Sequence, residues 1–467
     1  MKRDVDVAIV GGGPAGLSTA LFLAQVDPRL RARMVLLEKE RYPREKYCAG
    51  GIGGRAEMAL ARIGVTVDVP SAAVAGISLV MPQGRISARE RHIGRVVRRI
   101  EYDHRLAEIT RSRGIELREG VRVEGMDVDD DGVTLRTSDG ELRARVVIGA
   151  DGVGSIIRKA IGGGAGAWRA QVIECDTEET AGDGPRDLLH FDVGDPDFNG
   201  YEWDFPTVVG GEKLVCRGVY HLVLPGTAAA SVDLTARLAH RLQRFGLDLS
   251  RCKKKRYAER GFAPHEATSR PRVILVGEAA GIDPITGEGI AQAILYGEAV
   301  APYVAGKLAS GDLSFRDWRA RLGTTMLGAD LHLRHFLCRR FFGPSRRFYE
   351  ESFVATPEGL QIGVQYFGGL RVDRRLAARV GKSVVTRLWK ARGTAPLASL
   401  PMSAPSLPLH PIVEPTEERH PTSWCRARRC RSPGRSSSAP PARGWPRPRL
   451  PRWSRWKRCR RRRRRWW

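Results

Sequence analysis

The 467-residue chain contains no apolar run approaching the roughly 18 residues that cross a bilayer, so no membrane-spanning helix is expected. Its eight cysteines include no C-x-x-C pair, which argues for reduced thiols and against structural zinc. Nothing with the character of a leader precedes the first strand, since Met1-Lys2-Arg3-Asp4 runs straight into it, and the expected location is cytoplasmic. Acidic residues are missing from one region altogether. Residues 419–467 hold 19 of the 78 Lys and Arg and no Asp or Glu, which leaves 59 basic against 52 acidic residues in 1–418, a balance of +7. The net charge of +26 therefore belongs mostly to the tail, and no specific nucleic-acid partner is expected for the body. The tail is also poor in aliphatic residues, although six of the ten tryptophans fall from Trp424 onward. Such a composition cannot bury a core. Its Arg, Pro, Trp and Ser bias is that of GC-rich DNA read out of frame, the alternative being a basic anchor for nucleic acid or anionic lipid.

What is present is concentrated at the start. Val5 to Val10 is a short, mostly apolar run of the kind that forms a buried parallel strand. It opens into Gly11-Gly12-Gly13-Pro14-Ala15-Gly16, a helix follows over Leu17–Ala24, and Val35-Leu36-Leu37 forms a second strand ending at Glu38 and Lys39. Each glycine of Gly11-x-Gly13-x-x-Gly16 has a task. Gly11 allows the turn, Gly13 admits a pyrophosphate to the backbone, and Gly16 lets helix and strand pack closely. The helix N-terminus offers unpaired N–H groups to phosphate. Glu38, 22 residues beyond Gly16, stands where a carboxylate grips ribose hydroxyls.

Further on, the loop Arg41 to Gly54 is glycine-dense and suited to passing close to a flat ring. Its Cys48 reads either as a flavin-facing thiol or as a small buried filler. The spacing predicts helices over Arg55–Ile63 and Glu101–Arg113. It predicts strands around Ile77–Val80 and Ile86–Arg89, then a meander through Ile115–Leu117, Val121–Val123, Val133–Leu135 and Leu142–Val147. A strand ends at Asp151-Gly152, with a helix over Val153–Ile161. In Tyr201-x-Trp203-x-Phe205-Pro206 the period of 2 puts three rings on one face, as a core wall or as an apolar wall over a ligand. Val273–Val276 is again a buried parallel strand, running into Gly277, Glu278, Pro284, Gly287, Glu288, Gly289 and Ile290 and a helix to about Leu308. Phe315–Phe342 reads as one long helical cap and Leu376–Lys390 as a last amphipathic helix. Order is expected to fail from about Thr394.

With these motifs in order, the sequence resembles the flavoproteins of the p-hydroxybenzoate hydroxylase type and, more narrowly, the geranylgeranyl reductase family. The family-type stretches are Pro43-x-x-Lys46-x-Cys48-x-Gly50-Gly51, Tyr201-x-Trp203-x-Phe205-Pro206, and Ala279-Ala280-Gly281 with Pro284 and Gly287-Glu288-Gly289-Ile290. The resemblance implies an α/β fold with a Rossmann-type FAD-binding domain (1–165 and 260–310), an inserted strand-rich substrate domain (166–259), a C-terminal helical region (311–393) and the tail 394–467. It implies FAD held by Gly11, Gly13, Pro14, Ala15, Gly16, Glu38, Lys39, Arg99, Asp151, Gly152, the Gly277-Glu278 turn, Pro284, Gly287, Glu288, Gly289 and Ile290. Tyr201, Trp203 and Phe205 would line the substrate tunnel. Alkene reduction also needs a proton donor near the flavin, for which Cys48 is the candidate and a water held in its loop the alternative. Glu278 stands where the family usually has Asp, and Ala49 where a glycine is common. The implied activity is reduction of C=C bonds in an apolar isoprenoid, with NAD(P)H or ferredoxin as electron donor and a peripheral membrane contact allowed. A monooxygenase acting on an aromatic or polyketide-like substrate is the alternative. A flavin halogenase fits less well, because its Trp-x-Trp-x-Ile-Pro strand is here Tyr-x-Trp-x-Phe-Pro.

Overall fold

Buried apolar strands at the start of the chain and ring-rich alternating strands in its middle build two different sheets. The computed structural model describes residues 4–225, 232–342 and 346–392; the expectations for 394–467 lie outside these. From the N-terminus the chain forms β1 (Asp4–Val10), α1 (Pro14–Val26), β2 (Met34–Glu38), β3 (Gly51–Gly53), α2 (Gly54–Ala61), the hairpin β4 (Ser71–Met81) and β5 (Gly84–Val97), and α3 (Arg99–Ser112). It continues through β6 (Glu116–Glu119), β7 (Val123–Val128), β8 (Val133–Thr137), β9 (Gly140–Gly149), α4 (Ile156–Ala160), β10 (Trp168–Thr177), β11 (Leu188–Asp192), β12 (Gly200–Val209) and β13 (Glu212–Val223). The remainder holds α5 (Leu234–Gln243), β14 (Lys255–Gly261), β15 (Ser269–Arg270), β16 (Val273–Leu275), α6 (Gly289–Ser310), α7 (Trp318–Gly323), α8 (Met326–Phe341), α9 (Arg346–Tyr349), α10 (Pro357–Phe367) and α11 (Arg374–Arg392).

The first sheet runs β15-β16-β9-β1-β2-β6, parallel from β16 to β6. Its central strands carry apolar runs buried on both faces, Val7–Val10 of β1 and Val146–Ile148 of β9 among them. α1 and α6 cross in close contact. A Cβ on Gly297 would lie 2.7 Å from the Thr19 backbone nitrogen, so only glycine lets the two helices meet there.

The second sheet runs β14-β10-β13-β12-β11-β4-β5-β3 and is antiparallel except for the β11–β4 pair. β12 shows how alternation is used. Tyr201, Trp203 and Phe205 belong to an apolar cluster on one face. Glu202 and Asp204, on the other face, are gripped by Arg241 from α5 at 2.7 and 2.5 Å.

Four expectations need correction. The hairpin β4–β5 lies in the second sheet, because β4 pairs with β11. The segment after Ile115 is not part of a meander: β6 adds to the parallel edge beside β2, and only β7, β8 and β9 pair antiparallel. The helix expected from Val153 starts at Ile156, because Ser155 caps it by accepting from the Arg158 N–H at 2.9 Å. The single helix over Phe315–Phe342 is two. α7 ends at Gly323, and Thr325 caps α8 by accepting from the Gly328 N–H at 3.0 Å. α10 was not expected, although Thr356 followed by Pro357 is a cap with proline at the first helical position. No helix among the described residues is long and apolar enough to cross a membrane.

Candidate active site

The glycine turn after β1 shows which residues are structural and which face a ligand. A Cβ on Gly16 would sit 1.9 Å from the Gly11 carbonyl oxygen, so Gly16 is dictated by packing. Gly11 has φ +108, and a Cβ there would meet the Ala150 carbonyl at 2.4 Å. A Cβ on Gly13 meets nothing within 4 Å, because Gly13, at the N-cap of α1, looks into a cavity of about 1230 Å³. Ordinary ligand sites hold roughly 300–1,000 Å³, so this one has room for a dinucleotide and a second molecule.

Most of the expected site residues meet on the wall of this cavity. Gly11, Gly13, Pro14, Ala15, Glu38 and Lys39 line one part, joined by Arg99, Asp151, Gly152 and Glu278; Gly287 to Ile290 and Cys48 line it further along. Tyr201, Trp203 and Phe205 are on the same wall. Gly16, Gly277 and Pro284 stand behind it. A Cβ on Gly277 would lie 2.5 Å from Ala15 Cβ, which shows how closely the third motif packs on the first.

The nucleotide end is organised by short bonds. The Gly12 N–H donates to Glu38 Oε2 at 2.8 Å and the Glu40 N–H to Oε1 at 3.0 Å. Arg44 approaches Glu38 at 3.4 Å and Asp103 at 3.3 Å, and donates to the Gly12 carbonyl at 3.0 Å. Glu38 keeps accepting capacity for a ribose hydroxyl, since a carboxylate offers about four lone-pair sites. Arg99 is held by Asp103 in a bidentate pair at 2.6 and 2.7 Å. Asp151 lines the cavity, but its carboxylate accepts from the Ile156 and Ile157 N–H groups at 2.7 and 3.2 Å, anchoring α4.

Two features fix the Pro284–Ile290 loop. Tyr201 donates to the Thr286 carbonyl at 2.6 Å and Tyr220 to the Pro284 carbonyl at 3.0 Å, their rings stacked 4.9 Å apart. The Tyr201 ring thus faces the cavity while its hydroxyl is spent on the loop. Glu288 turns its carboxylate to Arg55 at 2.7 Å and Arg334 at 2.5 Å, and both arginines also pair with Asp330. Arg334 pairs with Asp283 as well. Sequence reasoning missed Arg44, Arg55, Asp103, Asp283, Asp330 and Arg334, because, apart from the i,i+4 pairs Arg99–Asp103 and Asp330–Arg334, the contacts that bring them together span distant parts of the chain.

Beyond the loop the wall becomes apolar. Leu79, Leu189, Phe191 and Phe205 come from the second sheet, and Leu337, Phe341, Phe353, Leu360 and Phe367 from the C-terminal helices. Arg346 closes this end with its charge spent, paired to Glu350 at 2.6 Å and donating to the Pro196 and Phe198 carbonyls at 3.0 and 2.8 Å. Near the turn of the cavity, Cys48 Sγ accepts from the Gly50 N–H at 3.4 Å. Burial pushes its thiol above the ordinary value, and the neighbouring Arg99 guanidinium opposes the rise. Burial likewise raises the Glu278 carboxyl, against the pull of Lys46.

Residues 4–295 match the family described as FAD binding domain. Geranylgeranyl diphosphate reductase of Rhodobacter capsulatus is 30% identical over 329 residues, covering 66% of this chain and 76% of the relative. Rifampicin monooxygenase of Streptomyces venezuelae is 36% identical over 168 residues, so the match spans only about a third of either chain (34% of each). Among solved structures, a geranylgeranyl bacteriochlorophyll reductase-like protein from Thermoplasma acidophilum shares the fold, with TM-score 0.59 at 20% identity over 84% of this chain and all of that one. The open Gly13 cradle, the helix N-terminus behind it and the Glu38 carboxylate fit an FAD placed along this wall. The chain belongs to the FAD binding domain family and, within it, to the geranylgeranyl reductase group of FAD-dependent oxidoreductases.

Proposed function

We propose that the protein reduces C=C double bonds of an isoprenoid or similarly apolar substrate, taking electrons from NAD(P)H or ferredoxin. The observation that carries this reading is the continuity of one cavity, polar along the glycine motifs and walled by rings and aliphatic side chains beyond them. A pocket of that lining suits a long hydrocarbon better than a small phenol. Bound FAD would supply hydride to one carbon of the alkene. Gly13 and the α1 N-terminus would hold its pyrophosphate, Glu38 its ribose, and the Gly287–Gly289 backbone its ring edge. Tyr201 and Tyr220 keep that last loop in place, and the helices over the apolar end exclude water. The second alkene carbon takes a proton from a group on the wall, for which Cys48 is the residue that the loop motif offers. A substrate of this kind resides in lipid, so a peripheral membrane contact goes with the reading.

The monooxygenase reading is favoured by the 36% identity to the rifampicin enzyme, but that match leaves two thirds of both chains unaccounted for. Product mass separates the two. Under anaerobic conditions with reduced FAD, each saturated bond adds about 2 mass units, as hydride plus proton requires. An oxygen-dependent gain of about 16 without any anaerobic product would overturn the reductase reading.

A further inference from the structure

β14 carries a row of titratable side chains that the motifs do not contain. Lys255, Tyr257 and Glu259 alternate along the strand, so they share one face. β10 pairs with it in the register Glu174↔Lys255 and Val172↔Tyr257. On that face Tyr257 donates to Glu174 Oε2 at 3.0 Å, and Lys255 reaches Asp176 and stands 3.9 Å from Glu174. Asp176 keeps 15% of its side chain exposed, so the outer end of the row touches solvent. The inner end reaches the cavity, which both Tyr257 and Glu259 line. Glu259 Oε2 is shut off from solvent and has no hydrogen-bond partner. It packs on the loop expected at the flavin edge, 2.4 Å from where a Cβ on Gly287 would be. An unpartnered buried carboxyl oxygen is costly, and a carboxyl aimed at reacting atoms is one arrangement that accounts for it.

We propose that Glu259, rather than Cys48, delivers the proton in alkene reduction, and that Tyr257 and Glu174 return a proton to it from solvent. The assignment rests on the reductase reading. Bound reduced flavin would supply hydride to one alkene carbon. The Glu259 O–H bond breaks as a C–H bond forms at the other carbon, and the carboxylate left behind is reprotonated along the row. The electrostatics agree. Burial holds the Glu259 carboxyl well above its ordinary value, and the carboxyls of Glu278, Asp283 and Glu174 add to the rise, with Lys46 opposing it. Tyr201, Tyr220 and Cys48 also face it, all as neutral groups raised by burial. Glu278 has Lys46, Arg99 and Arg158 to favour its charge, so of the two neighbouring acids Glu259 keeps the proton. Glu174 is pushed up to about 7 by burial, suiting a relay group at neutral pH. A thiol raised by burial is a weaker acid than usual and a poorer match.

The test uses flavin-loaded full-length protein. Glu259→Gln should keep its flavin and its fold while the rate of anaerobic saturation falls about a hundredfold or more. Glu259→Asp should recover part of that loss. The wild-type rate should decline as pH rises through the Glu259 value, and Cys48→Ala should retain this decline. The infrared difference spectrum of resting wild type minus Glu259→Gln should show a protonated-carboxyl band at neutral pH, separate from that of Glu174, a readout independent of turnover. Failure of the reductase reading would be visible in the wild type, as absence of anaerobic product. Failure of this assignment would be visible as a wild type that reduces the alkene and a Glu259→Gln protein that does so equally fast, or as a wild-type-minus-variant difference spectrum without the carboxyl band.

Discussion

The two parts of the cavity are built by opposite means. The nucleotide part is made of backbone. Gly11, Gly13 and Gly16 lie within six residues, and their roles follow from where a side chain cannot go. The apolar part is made of side chains, gathered from β4, β11, β12 and the C-terminal helices across nearly 300 residues of chain. A backbone cradle needs glycine at fixed offsets, so a substitution there is decisive. A wall of rings is redundant, and a single change is absorbed.

Substitutions at the cradle should show the largest effects and should separate packing from binding. Gly16→Val drives a side chain into the Gly11 carbonyl and should prevent folding, seen as loss of a cooperative melt. Gly13→Val has open space before it and should fold normally while its flavin affinity falls about a hundredfold or more, the wedge standing in the pyrophosphate path. A yellow, fully loaded Gly13→Val protein would break the contrast.

The junction between the two parts comes next. Arg334→Ala takes the arginine from Asp283 and leaves Glu288 and Asp330 with Arg55. Removing one partner of a buried network costs about 3–5 kcal/mol, which denaturant unfolding would measure. Glu174 tests the second sheet alone. Its folded value of about 7 lies above the ordinary 4.5, so the folded state holds a proton that the unfolded state has released between those pH values. The wild type should therefore lose stability as pH rises from about 4.5 to 7, by up to roughly 3 kcal/mol. Glu174→Gln should be flatter across that window. Tyr201→Phe removes one bond to the Thr286 carbonyl and should cost about 1 kcal/mol, read as a lower melting temperature. Smallest of all, removing residues 419–467 should leave the turnover of a detergent-solubilised substrate unchanged.

The same contrast explains what could be read in advance. β1, α1, β2 and the Gly287–Ile290 turn were legible because strand, glycine and helix signals are local. The face shared by Tyr201, Trp203 and Phe205 was legible too, since alternation along one strand fixes it. The spent hydroxyl of Tyr201 was not, because its acceptor lies 85 residues away. Nor were the Arg55–Glu288–Arg334 network and the row on β14, whose members carry no spacing signal. The β4–β5 strands were legible but their sheet was not, since nothing in their alternation selects a neighbour until β11 pairs with β4.

The most direct test of one cavity holding flavin and apolar substrate together is a single turnover without oxygen. Protein with reduced flavin is mixed anaerobically with an isoprenoid alkene, and flavin reoxidation is followed beside product mass. The account predicts stoichiometric reoxidation with the saturated product formed at the same rate. Flavin that stays reduced until oxygen is admitted would contradict it.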